Sequence, residues 1–167
     1  MKKLFTLENF LQLVRELLWL TITAAIAVAI LYPITSKIDY IYLKPTFGFI
    51  MLTLTYFRWS MLIKSIPFLR PALVRFLLFT ANLSLTIYIV NVMQKVMGLM
   101  ENMYTEDIGF PKVILFEADR AALFSYVYNV VVLFGTGAII MIVAFNLRLI
   151  ISWWQFYKYK ANALMGD

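Results

Sequence analysis

Three stretches of the chain, residues 17–36, 76–94 and 121–147, contain no charged residue and are 20, 19 and 27 residues long. An α-helix needs about 20 mostly apolar residues to cross the hydrocarbon core of a bilayer. The composition agrees, since 63% of the 167 residues are hydrophobic and only 14% are charged. We therefore expect an all-α integral membrane protein that forms a single membrane domain, residues 1–167.

A fourth apolar stretch is shorter, because residues 45–57 are followed by Arg58. We expect a helix over about 45–64, since proline fits the first helical position and an arginine near a helix end can extend its head group to the interface. The sequence then predicts four transmembrane helices, at about 17–36, 45–64, 71–96 and 121–150.

Two segments outside these spans have patterns of their own. In residues 4–16, apolar side chains recur at helical spacing, which predicts either an amphipathic helix on the membrane surface or an inward extension of the first span. Charged residues interrupt this segment, so we do not expect a cleavable signal peptide. Residues 97–120 are expected to form an outer loop that begins as a helical extension of the third span.

The distribution of charge predicts the topology. Four spans form two antiparallel hairpins and bring both termini to one side, where ten of the 15 lysines and arginines lie. The positive-inside rule places that side in the cytoplasm, and the short loops suit a bacterial inner membrane. All four tryptophans fall at the same ends of the spans, as an aromatic belt requires: Trp19, Trp59, Trp153 and Trp154.

Several kinds of chemistry are excluded by composition. The chain has no cysteine and no histidine, so it can form no disulfide, His-ligated haem or histidine general base. It carries no phosphate-binding loop, hydrolase elbow or zinc-protease motif. No acidic residue lies inside any of the predicted spans, whereas proton-driven machines usually carry an aspartate or glutamate there. We expect no enzyme activity, no cofactor and no metal. The net charge of +6 is explained by topology rather than by nucleic-acid binding.

Polar residues recur inside the third and fourth spans at helical spacing, and each set falls on one helical face. The predicted interhelical polar contacts are Thr80, Ser84, Asn91, Ser125, Asn129 and Thr136. Residue counts from the outer ends put Asn91 and Asn129 at similar depth, so we predict that the two stripes face each other and that the amides hydrogen-bond. In the alternative, the stripes line a polar path, but no ring of charges accompanies them.

Small residues predict close helix packing at two places. Thr21, Ala25 and Ala29 follow four-residue spacing in the first span, and Gly135 and Gly137 lie in the fourth.

Two further groups are candidate contact surfaces. The basic turn between spans two and three is predicted to contact anionic lipid or an acidic partner segment, unless its charges only determine topology. The residues of this turn are Arg58, Lys64, Arg70 and Arg75. Arg58 should have a phosphate or carboxylate neighbour. On the outer extension, Met97, Met100 and Met103 form either an adaptable partner-binding face or part of the bundle packing.

The missing chemistry and the packing faces predict a non-catalytic integral-membrane subunit or scaffold of a larger inner-membrane assembly, in transport, secretion or ion-driven energy transduction. The alternative is a small homo-oligomeric channel or transporter with a polar path lined by spans three and four. A lipid-modifying enzyme is disfavoured, because the catalytic set is missing. The expected partners are the lipid bilayer, other integral-membrane subunits and anionic lipid.

Overall fold

The computed structural model describes residues 7–35, 40–62, 72–106 and 117–165, which form four α-helices and one short 3-10 turn. The helices are α1 (Leu7–Leu31), α2 (Tyr40–Leu62), α3 (Ala72–Glu106) and α4 (Glu117–Met165). Three stretches are long and apolar enough to cross a membrane: Leu13–Ile34, which continues from α1 into the 3-10 turn Tyr32–Ile34, Leu73–Met100 in α3 and Ala121–Gln155 in α4. The all-helical prediction is confirmed.

The helix ends differ from the predicted ones at several points. α1 continues without interruption through residues 7–16, so this segment is a continuation of the first apolar helix toward the N-terminus. α2 begins before Pro45, which therefore lies inside the helix and removes one backbone N–H from its ladder. α3 continues to Glu106, ten residues past the end of the predicted third span. α4 has 49 residues and is about 74 Å long at about 1.5 Å per residue, well over the thickness of a hydrocarbon core.

α2 lies at the centre of the packing, because it contacts α1, α3 and α4, and most extensively α4. Its residues Thr46, Phe49 and Ile50 are each at most 3% exposed. The helix with the weakest apolar signal is thus the one that the other three cover. Its polar side chains find partners inside the protein, as when the Thr53 hydroxyl lies 2.8 Å from the carbonyl oxygen of Phe134 in α4.

α1 lies at the edge and packs on α2 through one narrow face. The buried residues of that face are Thr23, Ala27 and Leu31, at four-residue spacing. The small residues Thr21, Ala25 and Ala29, which the sequence predicts at this contact, are exposed instead. A shift of two residues rotates a side chain by about 200° around a helix, so the predicted spacing is correct but the predicted face is the opposite one.

Side-chain contacts show the relative directions of the helices. Near the start of α1, Glu16 bonds to Arg58 near the end of α2, so these helices run in opposite directions. At the other end, the Tyr126 hydroxyl of α4 donates to the carbonyl oxygen of Ile30 in α1. α3 and α4 are antiparallel, because Asn82 contacts Asn146 while Arg75, earlier in α3, reaches a later residue of α4.

Two glycines of α4 allow the neighbouring helices to approach closely, which confirms the sequence prediction for them. A Cβ at Gly135 would lie 2.6 Å from the Met93 sulfur, and one at Gly137 would lie 3.2 Å from Cγ2 of Thr53. The Met93 side chain is flexible and can move aside. Thr53 is β-branched and stiff, so Gly137 is the more restrictive position.

We expect Gly137→Val to lower the free energy of unfolding in mixed detergent micelles by about 1–3 kcal/mol, because the added atoms crowd Thr53. Gly48→Val in α2 is the matched control, since a Cβ there meets nothing within 4 Å. Equal effects of the two substitutions would show that the contact at Gly137 is not tight.

Candidate functional site

An ion pair joins α1 to α2. The Arg58 guanidinium donates from both terminal nitrogens to the two carboxylate oxygens of Glu16, at 2.7 and 2.6 Å. The side chains of Arg58 and Glu16 are only 12% and 28% exposed, and the guanidinium lies over the ring of Trp19 at 5.2 Å from its centroid. Paired, planar contacts of this kind are among the stronger ones that an arginine makes.

This pair supplies the carboxylate neighbour that the sequence requires for Arg58, and the neighbour belongs to the same chain. Contacts of Arg58 and Arg75 with lipid or with an acidic partner stay a prediction. The other two residues predicted for that surface, Lys64 and Arg70, lie outside the described residues.

A cleft of about 210 Å³ opens beside the ion pair. Its lining is mainly apolar, with Leu13, Leu17 and Leu20 on the side of α1. Its two charged groups, Glu16 and Arg58, bond to each other. Among the described residues, no group of three or more His, Cys, Asp or Glu side chains could hold a metal ion. The cleft is thus a mainly apolar groove whose two charged groups already have partners.

A buried hydrogen-bonded chain joins α2, α3 and α4. The Tyr56 hydroxyl donates to the Asn82 side-chain oxygen at 2.6 Å, and the Asn82 amide nitrogen donates to the Asn146 oxygen at 2.7 Å. The three side chains are 6%, 2% and 6% exposed, in that order. A polar group inside an apolar core is costly unless it is bonded, so this network fixes the mutual register of three helices.

Aromatic rings surround the tyrosine of this network. Tyr56 lies edge-on to Trp59 and to Phe145, with ring centroids 5.5 and 5.6 Å apart. These geometries are favoured by the ring quadrupoles. The rings thus pack against the side chain of Tyr56, which is 6% exposed.

Two further arginines satisfy backbone carbonyls at the same end of the bundle. Arg148 donates to the carbonyl oxygen of Ser60, in the last turn of α2, where helical carbonyls lack partners of their own. Arg75 donates to the carbonyl oxygen of Ser152 at 3.4 Å. Three basic side chains from three helices thus hold this end of the bundle together through internal contacts.

The residues predicted to make interhelical polar contacts all occupy exposed positions of α3 and α4: Thr80, Ser84, Asn91, Ser125, Asn129 and Thr136. The hydroxyl groups of Thr80, Ser84 and Thr136 donate within their own helix, to the carbonyl oxygen four residues earlier. Within the described residues, no hydrogen bond joins Asn91 to Asn129, and the structure does not bring the two stripes together.

The rotation of α3 accounts for this difference. Each residue advances by about 100° around an α-helix, so the nine residues from Asn82 to Asn91 correspond to about half a turn. Asn82 faces α4, and Asn91 therefore points away from it. The interhelical contact exists, but it is made by Asn82 and Asn146. Asn82 and Asn146 each lie in the half of their apolar stretch that is nearest the predicted cytoplasmic end. This similar depth is the sequence signal that could have paired them.

The predicted methionine face is divided. Met100 is 2% exposed and belongs to the core, and Met97 packs against that core. These two residues follow the alternative in which the methionines pack within the bundle, because they lie on the side of α3 that carries Asn82. The side chain of Met103 lies outside the described residues.

Comparisons with protein-family models, with curated proteins and with solved structures found no match for this chain.

Proposed function

We propose that the chain is a non-catalytic integral-membrane subunit of a larger membrane assembly. The observation that carries the proposal is the exposure of Asn91 and Asn129 on two long apolar helices. Among the described residues, neither side-chain amide forms a hydrogen bond to another residue. An amide that faces hydrocarbon without a partner is costly, and a helix of another subunit would supply the partner.

The internal polar groups support the same proposal. The buried amides and the hydroxyl of Tyr56 bond to one another, and the Glu16 carboxylate is held by Arg58. Proton-coupled machines use an intramembrane acid that can load and release a proton. A carboxylate locked in a two-point ion pair is poorly suited to that task, so any ion-carrying group would belong to a different chain of the assembly.

The proposal includes four membrane crossings with both termini in the cytoplasm of a bacterial cell. α2 would be the fourth crossing, because the neighbouring helices cover it and its polar residues bond inside the bundle. The arginines Arg58, Arg75 and Arg148 and the tryptophan Trp153 lie at one end of the bundle. The positive-inside rule assigns that end to the cytoplasm.

Purification in mild detergent, followed by identification of the co-purifying chains, tests the proposal. The subunit function predicts at least one different membrane protein in a constant ratio to this chain. Recovery of a clean oligomer of this chain alone, which conducts ions in liposomes, would overturn it.

The second candidate is a homo-oligomeric channel, and the observation that favours it is again the exposed polar stripe of α3. In that function Asn91 would face water rather than a partner helix. The chain has no cysteine, so Asn91→Cys introduces a unique thiol. Rapid reaction with a membrane-impermeant maleimide in the native assembly indicates a channel lining, whereas protection of the thiol indicates a helix contact.

We expect the double variant Asn91→Leu with Asn129→Leu to remain folded but to lose co-purifying subunits, because both side chains are exposed in the monomer and serve the assembly. The measurement is the ratio of partner to chain after affinity purification, alongside the unfolding transition of the chain. Unchanged assembly with lost ion flux would instead identify the channel.

A further inference from the structure

The exposed side of α3 carries a continuous polar stripe, which consists of Thr80, Ser84, Tyr88, Asn91 and Lys95. All five residues are exposed, and Tyr88 is 64% exposed. At about 100° per residue their directions fall within an arc of about 80°. The centre of this arc is about half a turn from Asn82, which packs on α4. The stripe therefore points straight away from the rest of the bundle.

The two ends of the stripe differ in what they require. Thr80 and Ser84 bond to carbonyl oxygens of their own helix, so they act as small residues that let another helix approach closely. Asn91 and Lys95 lie one helical turn apart and present an amide and an ammonium group, and a lysine offers donors only. A partner at this position therefore has to supply acceptor oxygen, and a carboxylate matches the charge.

Lys95 lies near the edge of the hydrocarbon core. It is about 13 Å from the midpoint of Leu73–Met100 at about 1.5 Å per residue, and half the core is about 15 Å thick. At this edge, which is less hydrated than a protein surface in water, a pair of opposite charges attracts more strongly than it would in bulk water. The complementary acid of a partner helix would therefore be placed near the outer end of that helix.

We propose that this stripe docks a transmembrane helix of a different chain, which carries an aspartate or glutamate opposite Lys95. The proposal rests on the subunit function and names the chemistry of the partner. A second copy of this chain fits less well. Two copies inserted in the same orientation and related by a twofold axis would set each residue of the stripe near its own counterpart, so Lys95 would meet Lys95 of the other copy, and like charges oppose association.

The test uses the full-length chain in its native membrane, with a photo-crosslinking phenylalanine analogue in place of Tyr88. The matched control places the same analogue at Val28 of α1, which is similarly exposed, at 54%. We expect position 88 to crosslink to one membrane helix with an Asp or Glu within about one turn of the attachment point, and position 28 not to do so. Crosslinks from position 88 only to lipid, or only to a second copy of this chain, would overturn the proposal.

A charge exchange adds a readout that folding alone would not change. We expect Lys95→Glu to lower the recovery of the crosslinked partner about tenfold or more, and Lys44→Glu, at an exposed lysine of α2, to leave it unchanged. Replacement of the partner's acid by lysine should restore recovery with Lys95→Glu. If Lys95→Glu retains the partner and its crosslink to position 88, the inference fails while the subunit function stands. If no other chain co-purifies at all, the subunit function itself fails.

Discussion

Replacement of Glu16 by leucine is expected to lower the free energy of unfolding by about 2–3 kcal/mol. The substitution leaves the Arg58 guanidinium, which is 12% exposed, without its carboxylate in an apolar cleft. Removal of one member of a fully buried pair typically costs about 3–5 kcal/mol. The partial exposure of Glu16, at 28%, justifies the lower figure, because water can reach part of the site.

The double variant Glu16→Leu with Arg58→Leu separates an unpaired charge from a loss of packing. Two leucines suit the apolar lining of this cleft, and an apolar replacement of an ion pair is often neutral. We expect the double variant to unfold within about 1 kcal/mol of the natural protein in a denaturant titration in mixed micelles. A double variant as unstable as Glu16→Leu alone would show that the pair contributes more than mutual neutralisation.

The second large effect is expected for Asn82→Leu, which should lower the free energy of unfolding by about 2–3 kcal/mol. The leucine removes the acceptor of the Tyr56 hydroxyl and the donor to the Asn146 oxygen, so two buried polar groups lose their partners. Hydrogen bonds between membrane helices contribute about 0.6–2 kcal/mol each, and a buried group left without a partner costs about 1–3 kcal/mol. Thermal and denaturant unfolding of the purified chain would measure the change.

Asn91→Leu provides a matched control on the same helix. It is the same substitution about half a turn away, at an exposed residue, so the unfolding transition of the isolated chain should stay within about 0.5 kcal/mol of the natural protein. If the two variants destabilise the isolated chain equally, the assignment of Asn82 to the inside and Asn91 to the outside of the bundle is wrong.

The sequence predicts the architecture well where a single physical cause dominates. Charge-free stretches of sufficient length identify three apolar helices, because few other structures can accommodate them. The close approach at Gly135 and Gly137 follows from residue size alone. The class of neighbour required by Arg58 also follows from its chemistry, and Glu16 belongs to that class.

The faces of the helices are harder to predict, because periodicity shows which residues share a face but not which face turns inward. The stripe of Asn91 contains more polar residues than the side of Asn82, so the sequence predicts that the stripe of Asn91 faces the neighbouring helix. The structure buries the side of α3 that carries Ile89, Val96 and Met100. The amide on that side, Asn82, is satisfied by its hydrogen bond to Asn146. Burial of the stripe of Asn91 would instead have placed these apolar side chains on the outside, with no gain in packing.

The central position of α2 is hidden from the sequence for a related reason. Arg58 and Lys44 lower its apolar character, so it resembles the weakest span. A helix covered by three others needs less apolar surface of its own, because its polar groups bond to neighbours instead of facing lipid. Only the packing of α1, α3 and α4 around it reveals this.

The most direct test of the account is the native mass of the particle that contains this chain, measured after release from mild detergent together with its ion conductance in liposomes. We predict a mass that requires at least one different membrane chain, and no conductance from this chain alone. A mass equal to a whole-number multiple of the 19.5 kDa chain, with ion flux from that oligomer, would contradict the account.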